Sequence, residues 1–258
     1  MYMPIIDAHI HFDHYSKEEQ KHILQELEQY NIEALLSVSF HLESSKENLR
    51  LHKQDCRIKP AFGFHPEQSL PSTEELEQLF KFMVEHKEAM IAVGEVGLPY
   101  YMRKEQPEIP LEPYIEVLEE FVKFAKKLNK PIALHAVYED APTVCDLLEK
   151  HSIEKAHFHW FKGDTRTIER MIANNYHISI TPDLLVEGNI QSLAEIYPLT
   201  LTMVETDGPW PFDEVFPGQM THPKMIHETV KALAKIKSLP IEEVYKTVYN
   251  TTKQFYNL

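Results

Sequence analysis

Two histidines one residue apart close an early apolar run, Ile5-Ile6-Asp7-Ala8-His9-Ile10-His11. The alternation of an extended strand puts both imidazoles on the same side. Four more candidate ligands stand in equivalent places. Glu95 follows Met90-Ile91-Ala92-Val93 and is flanked by Gly94 and Gly97, and His135 ends Pro131-Ile132-Ala133-Leu134. His159 ends Ala156-His157-Phe158, and Asp207 ends Leu201-Thr202-Met203-Val204-Glu205-Thr206. Four imidazoles and two carboxylates suit Zn²⁺, Mn²⁺, Fe²⁺ or Ni²⁺, and two cations sharing a bridging carboxylate would use all six. A lone strand-end histidine is more often a hydrogen-bonded structural residue than a ligand. Six independent placements of the same kind are not accounted for in that way.

The elements that must position these residues alternate along the chain. Strand-like runs fall at 4–10, 33–39, 58–64, 89–95, 131–135, 154–160, 176–181 and 200–206. Apolar residues at helical spacing lie between them, as in Ile23, Leu24, Leu27 and Tyr30 or Leu118, Phe121, Val122, Ala125 and Leu128. Ser16 with Glu19, and Ser72 or Thr73 before Glu75, have the form of helix amino-terminal caps. Further helices are expected at 140–150, 164–174, 189–197, 222–237 and 241–255, with extended loops at 106–113 and 209–223. Strands that alternate with helices pair in parallel, and eight such units in this length predict an α/β fold of the (β/α)8 barrel type, one domain over residues 1–258. In such a barrel the carboxyl ends of the strands form one rim, where all six candidate ligands would meet. Of the seven glycines, Gly63, Gly94, Gly97, Gly163 and Gly208 fall in the rim loops, where backbone must pass close to something.

Bulk composition narrows the partners. The 258 residues carry 40 acidic and 26 basic side chains, a formal net charge of −14 that repels polyanions at long range. Strong binding to duplex DNA is therefore not expected, although bound cations can reverse the potential inside a site. Cys56 and Cys145 are the only cysteines, which fits a reducing compartment better than a disulfide scaffold. No stretch approaches the roughly 18 apolar residues of a membrane span, and the chain enters a strand-like run almost at once, so the expectation is a cytoplasmic protein with no membrane partner.

In six segments the chain resembles the TatD-like metal-dependent hydrolases of the amidohydrolase superfamily. They are Ile6-Asp7-Ala8-His9-Ile10-His11, Gly63-Phe64-His65-Pro66, Gly94-Glu95-Val96-Gly97-Leu98, Pro131-Ile132-Ala133-Leu134-His135, His159-Trp160-Phe161-Lys162-Gly163 and Glu205-Thr206-Asp207-Gly208-Pro209-Trp210, in family order. The resemblance implies a (β/α)8 barrel with one or two divalent ions among Zn, Mn, Mg, Ni and Co, and many members are described as DNases. Carried over position by position, it implies that His9, His11, Glu95 and Asp207 hold one metal, and that Glu95 bridges to a second completed by His135 and His159. Asp207 would then be the proton acceptor, His65 would lean toward the substrate, and Glu205 would orient a ligand.

The chain also departs from the family pattern. Pro99 follows Leu98 where Asp is common, Val137 stands two residues after His135 where Arg is common, and Met220-Thr221-His222-Pro223 keeps only the proline of an Arg-Asn-Glu-Pro segment. The replaced groups are of the kind that grip phosphate. Lys162, Arg103 and Lys104 are the nearest substitutes, each read first as a solvated surface charge. Trp160, Tyr100, Tyr101 and Trp210 could form an aromatic wall, His157 reads as a structural residue inside the barrel, and His41 as a loop residue. The expected activity is divalent-metal-dependent hydrolysis of phosphodiesters by activated water, with a small molecule or nucleic-acid fragment as substrate. The alternative is the same cradle acting on an amide, lactone or aminoacyl ester, and a third reading is a metal-binding module without catalysis.

Overall fold

The computed structural model describes residues 2–258. The elements follow as β1 (Ile5–Ile10), α1 (Lys17–Glu26), β2 (Ile32–Ser37), α2 (Leu42–Gln54), β3 (Ile58–Phe62), α3 (Thr73–Glu85), β4 (Ala92–Gly97), α4 (Tyr100–Glu105) and α5 (Glu112–Leu128). They continue as β5 (Ile132–His135), α6 (Asp140–Lys150), β6 (Ala156–Phe158), α7 (Thr165–Ala173), β7 (His177–Ile180), α8 (Gly188–Ile196), β8 (Thr202–Val204), α9 (Ile226–Lys237) and α10 (Ile241–Tyr256). All eight strands pair in parallel with their sequence neighbours, in the order β1 to β8. Two bonds draw the end of β8 back to β1: Asp207 N–H donates to His9 O at 2.9 Å and His11 N–H to Gly208 O at 2.8 Å. This is a (β/α)8 barrel, drawn closed at the end that carries the candidate ligands.

Two apolar layers hold it together. The outer layer lies between strands and helices, and α5 shows how it forms. Leu118, Phe121, Val122 and Ala125 make one buried stripe on that helix. Burying a large apolar side chain is worth about 1.5–3 kcal/mol, against tenths for helix propensity, so the stripe rather than propensity decides the helix. The inner layer fills the barrel where the strands begin. It consists of Ile6, Ala8, Ala34, Leu36, Ala61, Ala92 and Met203, with Phe255 and Tyr256 of α10 inserted beneath them. Small alanines leave room for those two rings, which close this end and leave the other open to chemistry. Among the described residues, no helix is long and apolar enough to cross a membrane.

Both expected caps form. Ser16 Oγ accepts from Glu19 N–H while the Glu19 carboxylate accepts from Ser16 N–H, and Ser72 with Glu75 does the same. Three expectations need correction. The helix expected over 222–237 begins at Ile226, after a short 3-10 turn over Pro223–Met225 in which the His222 side chain accepts from Lys224 N–H. Helices α2 and α4 were not anticipated. The inner face of α2 buries Ser44, Ser45 and Asn48 besides Leu49 and Leu51, so it lacks a clean apolar period, and α4 has no buried residue at all.

Candidate metal centre

The six residues expected at the rim do converge, although not all at strand ends. Glu95 lies inside β4 rather than at its end, and Asp207 lies three residues beyond β8 in the left-handed region, φ 50°. Only a constrained setting keeps a non-glycine residue there, and the bond from Asp207 N–H to His9 O supplies the constraint. The centre is built around the Glu95 carboxylate, which is fully buried. On one side, Glu95 Oε2 lies 3.1 Å from His9 Nε2 and 3.2 Å from His11 Nε2. Asp207 Oδ1 lies 3.5 Å from each of those nitrogens. On the other side, Glu95 Oε1 lies 2.7 Å from His159 Nε2, 3.1 Å from His135 Nδ1 and 3.4 Å from His65 Nε2. The rings of His9 and His159 stack at 3.8 Å, tying the two halves together.

Backbone clearance makes this crowding possible. A side chain at Gly97 would run into the carbonyl of His135, and one at Gly63 would meet the Glu95 carbonyl at 2.7 Å. Only glycine lets β3, β4 and β5 approach this closely beneath the ligands.

The electrostatics are those of an anion in an imidazole cage. Burial alone would raise the Glu95 carboxyl, but His159, His65 and His9 outweigh it and hold it well below the carboxylate range. Burial pushes His9 and His65 down to about 4, and pushes Asp207 up to about 7. Burial also opposes charge on His135, yet hydrogen bonds to Glu67 and Glu95 raise it to about 8. Asp207 Oδ1 and the Nδ1 atoms of His9, His11 and His159 are buried without hydrogen-bond partners. Uncompensated buried polar atoms around a carboxylate are costly. Divalent cations on either side of Glu95 would accept the Asp207 Oδ1 lone pair and those of the ring nitrogens that face the carboxylate, Nε2 of His9, His11 and His159 and Nδ1 of His135. They would also offset the charge, so the donor set fits the metals expected from it.

His65 differs from the other four histidines. Its Nδ1 accepts from Glu67 N–H at 3.2 Å, so a neutral His65 ring carries its proton on Nε2, the atom that faces Glu95. That makes it a hydrogen-bond donor into the site rather than a ligand. Glu205 is fully buried, accepts from Trp160 N–H at 2.7 Å, and faces His159 Nδ1 from 3.7 Å.

Sequence reasoning missed Glu67. Its carboxylate accepts from Tyr101 N–H at 2.8 Å and Met102 N–H at 2.7 Å, and meets His135 Nε2 at 3.1 Å. It thereby docks the start of α4 on the centre and leaves the His135 Nδ1 lone pair turned toward Glu95. The only signal was its place two residues after His65. Its partners are 34, 35 and 68 positions away, beyond any local pattern.

A sequence profile of the TatD related DNases matches residues 6–257. The chain belongs to the TatD family of metal-dependent hydrolases. An uncharacterized metal-dependent hydrolase of Haemophilus influenzae is 39% identical over 255 residues, covering 98% of this chain and all of the relative. The human deoxyribonuclease TATDN3 is 27% identical over 267 residues, covering 97% and 94% of the two chains. The crystal structure of the TatD homologue YjjV from Escherichia coli superposes with a TM-score of 0.88 over 98% of each chain at 23% identity, a likeness of fold.

Within this TatD barrel the departures have structural consequences. Val137 is buried, so nothing in its place reaches for a phosphate. Arg103 and Lys162 are not the solvated charges expected: Arg103 Nη1 lies 3.2 Å from the buried Asp140 carboxylate, and Lys162 Nζ lies 3.2 Å from Glu187. Lys104 lies over the Tyr100 ring at 6.0 Å. The aromatic residues form two groups, Tyr100 with Tyr101 and Tyr138, and Trp160 with Trp210 and Phe212. His41 is not a plain loop residue; it caps α2 by accepting from Ser44 N–H.

Proposed function

We propose that this TatD-family hydrolase cleaves phosphodiesters in nucleic-acid fragments with two divalent cations. His9, His11, Asp207 and Glu95 would hold one, and Glu95, His135 and His159 the other. The observation that carries this reading is the division of Glu95, whose two oxygens face separate sets of imidazoles. One carboxylate shared in this way fits the paired-cation sites that flank an in-line displacement at phosphorus. Bound cations supply Lewis acidity toward the phosphoryl group and bring the ionisation of water near neutral pH.

The protein's own groups do the rest. Asp207 is the candidate ligand most open to the mouth, 12% exposed in its side chain, and its carboxylate is placed to take a proton from the attacking water. The Nε2–H of His65 donates to a substrate oxygen on the far side of Glu95. The exposed faces of Tyr101, Tyr138 and Trp210 offer stacking surfaces for unpaired bases. With a charge of −14, and with Arg103 committed to Asp140, single strands and ends are the preferred substrates.

One observation favours a second reading. Val137 is apolar, and Arg103 and Lys162 are committed to Asp140 and Glu187. A rim so poor in available cations also suits a neutral lactone, amide or aminoacyl ester. The test is turnover of the Mn²⁺- or Zn²⁺-loaded protein on bis(p-nitrophenyl) phosphate, single-stranded and duplex DNA, and ester, lactone and amide panels. Cleavage of phosphodiesters, with single strands ahead of duplex, is expected. Turnover confined to carbon esters or amides would replace the first reading with the second.

A further inference from the structure

Beneath the metal centre the barrel core contains a chain of polar groups where apolar packing would be the simpler choice. Tyr256, from α10, meets His157 Nδ1 at 2.7 Å, and His157 Nε2 meets Ser179 Oγ at 2.5 Å. Ser179 Oγ donates to Glu205 Oε2 at 2.5 Å. Glu205 Oε1 accepts from Trp160 N–H and faces His159 Nδ1. All of these side chains except Trp160 are buried: Tyr256 and His159 are 4% exposed, Ser179 1%, and His157 and Glu205 0%.

Donor counting fixes the direction of every link. A serine hydroxyl has one proton, and Ser179 gives it to Glu205, so Ser179 Oγ accepts from His157. His157 therefore carries its ring proton on Nε2. Among the hydrogen bonds of the described residues, the Tyr256 hydroxyl has no acceptor other than His157 Nδ1, so that nitrogen is bare. Tyr256 must then donate to it. The chain runs one way, from the plug of the barrel to the Glu205 carboxylate.

We infer that Tyr256, His157 and Ser179 are positioning residues that hold Glu205 where it fixes His159, an assignment that rests on His159 being a cation ligand. Two couplings reach His159. Glu205 binds the backbone N–H of Trp160, the next residue, which sits in the left-handed region at φ 37° and needs a partner to stay there. Its carboxylate also favours a proton on His159 Nδ1, the tautomer whose Nε2 lone pair points at Glu95. A buried polar network costs more than an apolar core unless every member is satisfied. His157 offers both ring nitrogens to partners, so this network meets that condition down to Glu205. A histidine that merely fills space needs no such directed chain.

The test uses full-length protein labelled with ¹⁵N-histidine, as wild type, Ser179→Ala and Tyr256→Phe, with thermal melts to show that each is folded. In the metal-free wild type, the His157 resonances should report a protonated Nε2 and a bare Nδ1. Ser179→Ala should shift the ring resonances of His159 as well as His157, and Tyr256→Phe should do the same more weakly. A His157 ring protonated on Nδ1, or His159 resonances unmoved in a folded Ser179→Ala protein, overturns the relay whatever the cation count. Titration with Mn²⁺ tests the underlying assignment separately. Wild type should take two ions, and Ser179→Ala should weaken one of them by about 10-fold, the lower end of the loss seen when a ligand's supporting partner is removed. If the wild type takes only one ion, the assignment of His159 fails while the resonances still decide the relay.

Discussion

Two clusters of histidine and carboxylate in this barrel look alike as lists and differ as chemistry. At the mouth, Glu95 gathers His9, His11, His135 and His159. On the flank, Glu26 and His22 of α1 face His222, their ligand atoms lying within 4.8 Å of one another. In the flank cluster the charge is already answered, because Lys224 Nζ lies 3.5 Å from Glu26 Oε2. The His222 Nδ1 lone pair is also spent, accepting from Lys224 N–H at 3.0 Å. Burial and Lys224 push His222 down to about 4, so a neutral ring carries its proton on Nε2, the atom 3.5 Å from Glu26. At the mouth, among the described residues, no lysine or arginine answers Glu95, and the ring nitrogens of these four histidines reach it from β1, β5 and the end of β6. Ligand types within reach are not sufficient for a metal site. What sets the mouth apart is the unanswered charge: Glu26 has Lys224 beside it, and Glu95 has only imidazoles.

That contrast can be broken or sharpened by substitution, beginning with the largest effect. Glu95→Gln removes the shared charge and should abolish activity and binding of both cations, measured by metal analysis after dialysis. Retention of both ions by a folded Glu95→Gln protein breaks the contrast. Asp207→Asn keeps one oxygen donor and loses basicity. At saturating metal its kcat should fall by at least about 10²–10⁴-fold, the range for losing a general base. Near wild-type kcat would pass the proton to another group at the mouth. Glu205→Gln should act mainly on ligand orientation, weakening metal binding by roughly 10–100-fold with a smaller loss of kcat at saturation. His22→Ala should change neither cation content nor kcat, and a lost cation there would erase the distinction between the clusters.

Much of this was legible in the sequence because the decisive residues sit beside strong local patterns. All eight strands occur where apolar runs were expected, and His9, His11, His135 and His159 lie at the ends of their strands or just beyond them. What was hidden depends on distant partners. Glu67 gains its meaning only when α4 folds back over β5 and offers its N–H groups. The polar inner face of α2 makes sense only against β2 and the short turn after β1 (Phe12–His14), where Asn48 meets Asp13 and the Ser37 hydroxyl donates to Asn48 Oδ1. His157 was read as structural, and its burial agrees. Its directed bonds to Ser179 and Tyr256 involve residues 22 and 99 positions away, which no spacing rule connects.

The division of Glu95 between two cations is tested most directly by anomalous diffraction from crystals loaded with Mn²⁺ or Zn²⁺. Two peaks should flank the Glu95 carboxylate, one within about 2.0–2.2 Å of His9, His11 and Asp207 and the other equally close to His135 and His159, as zinc–ligand distances require. No peak should appear between His22, Glu26 and His222. A single ion remote from Glu95, or a peak on the flank with the mouth empty, would contradict this account.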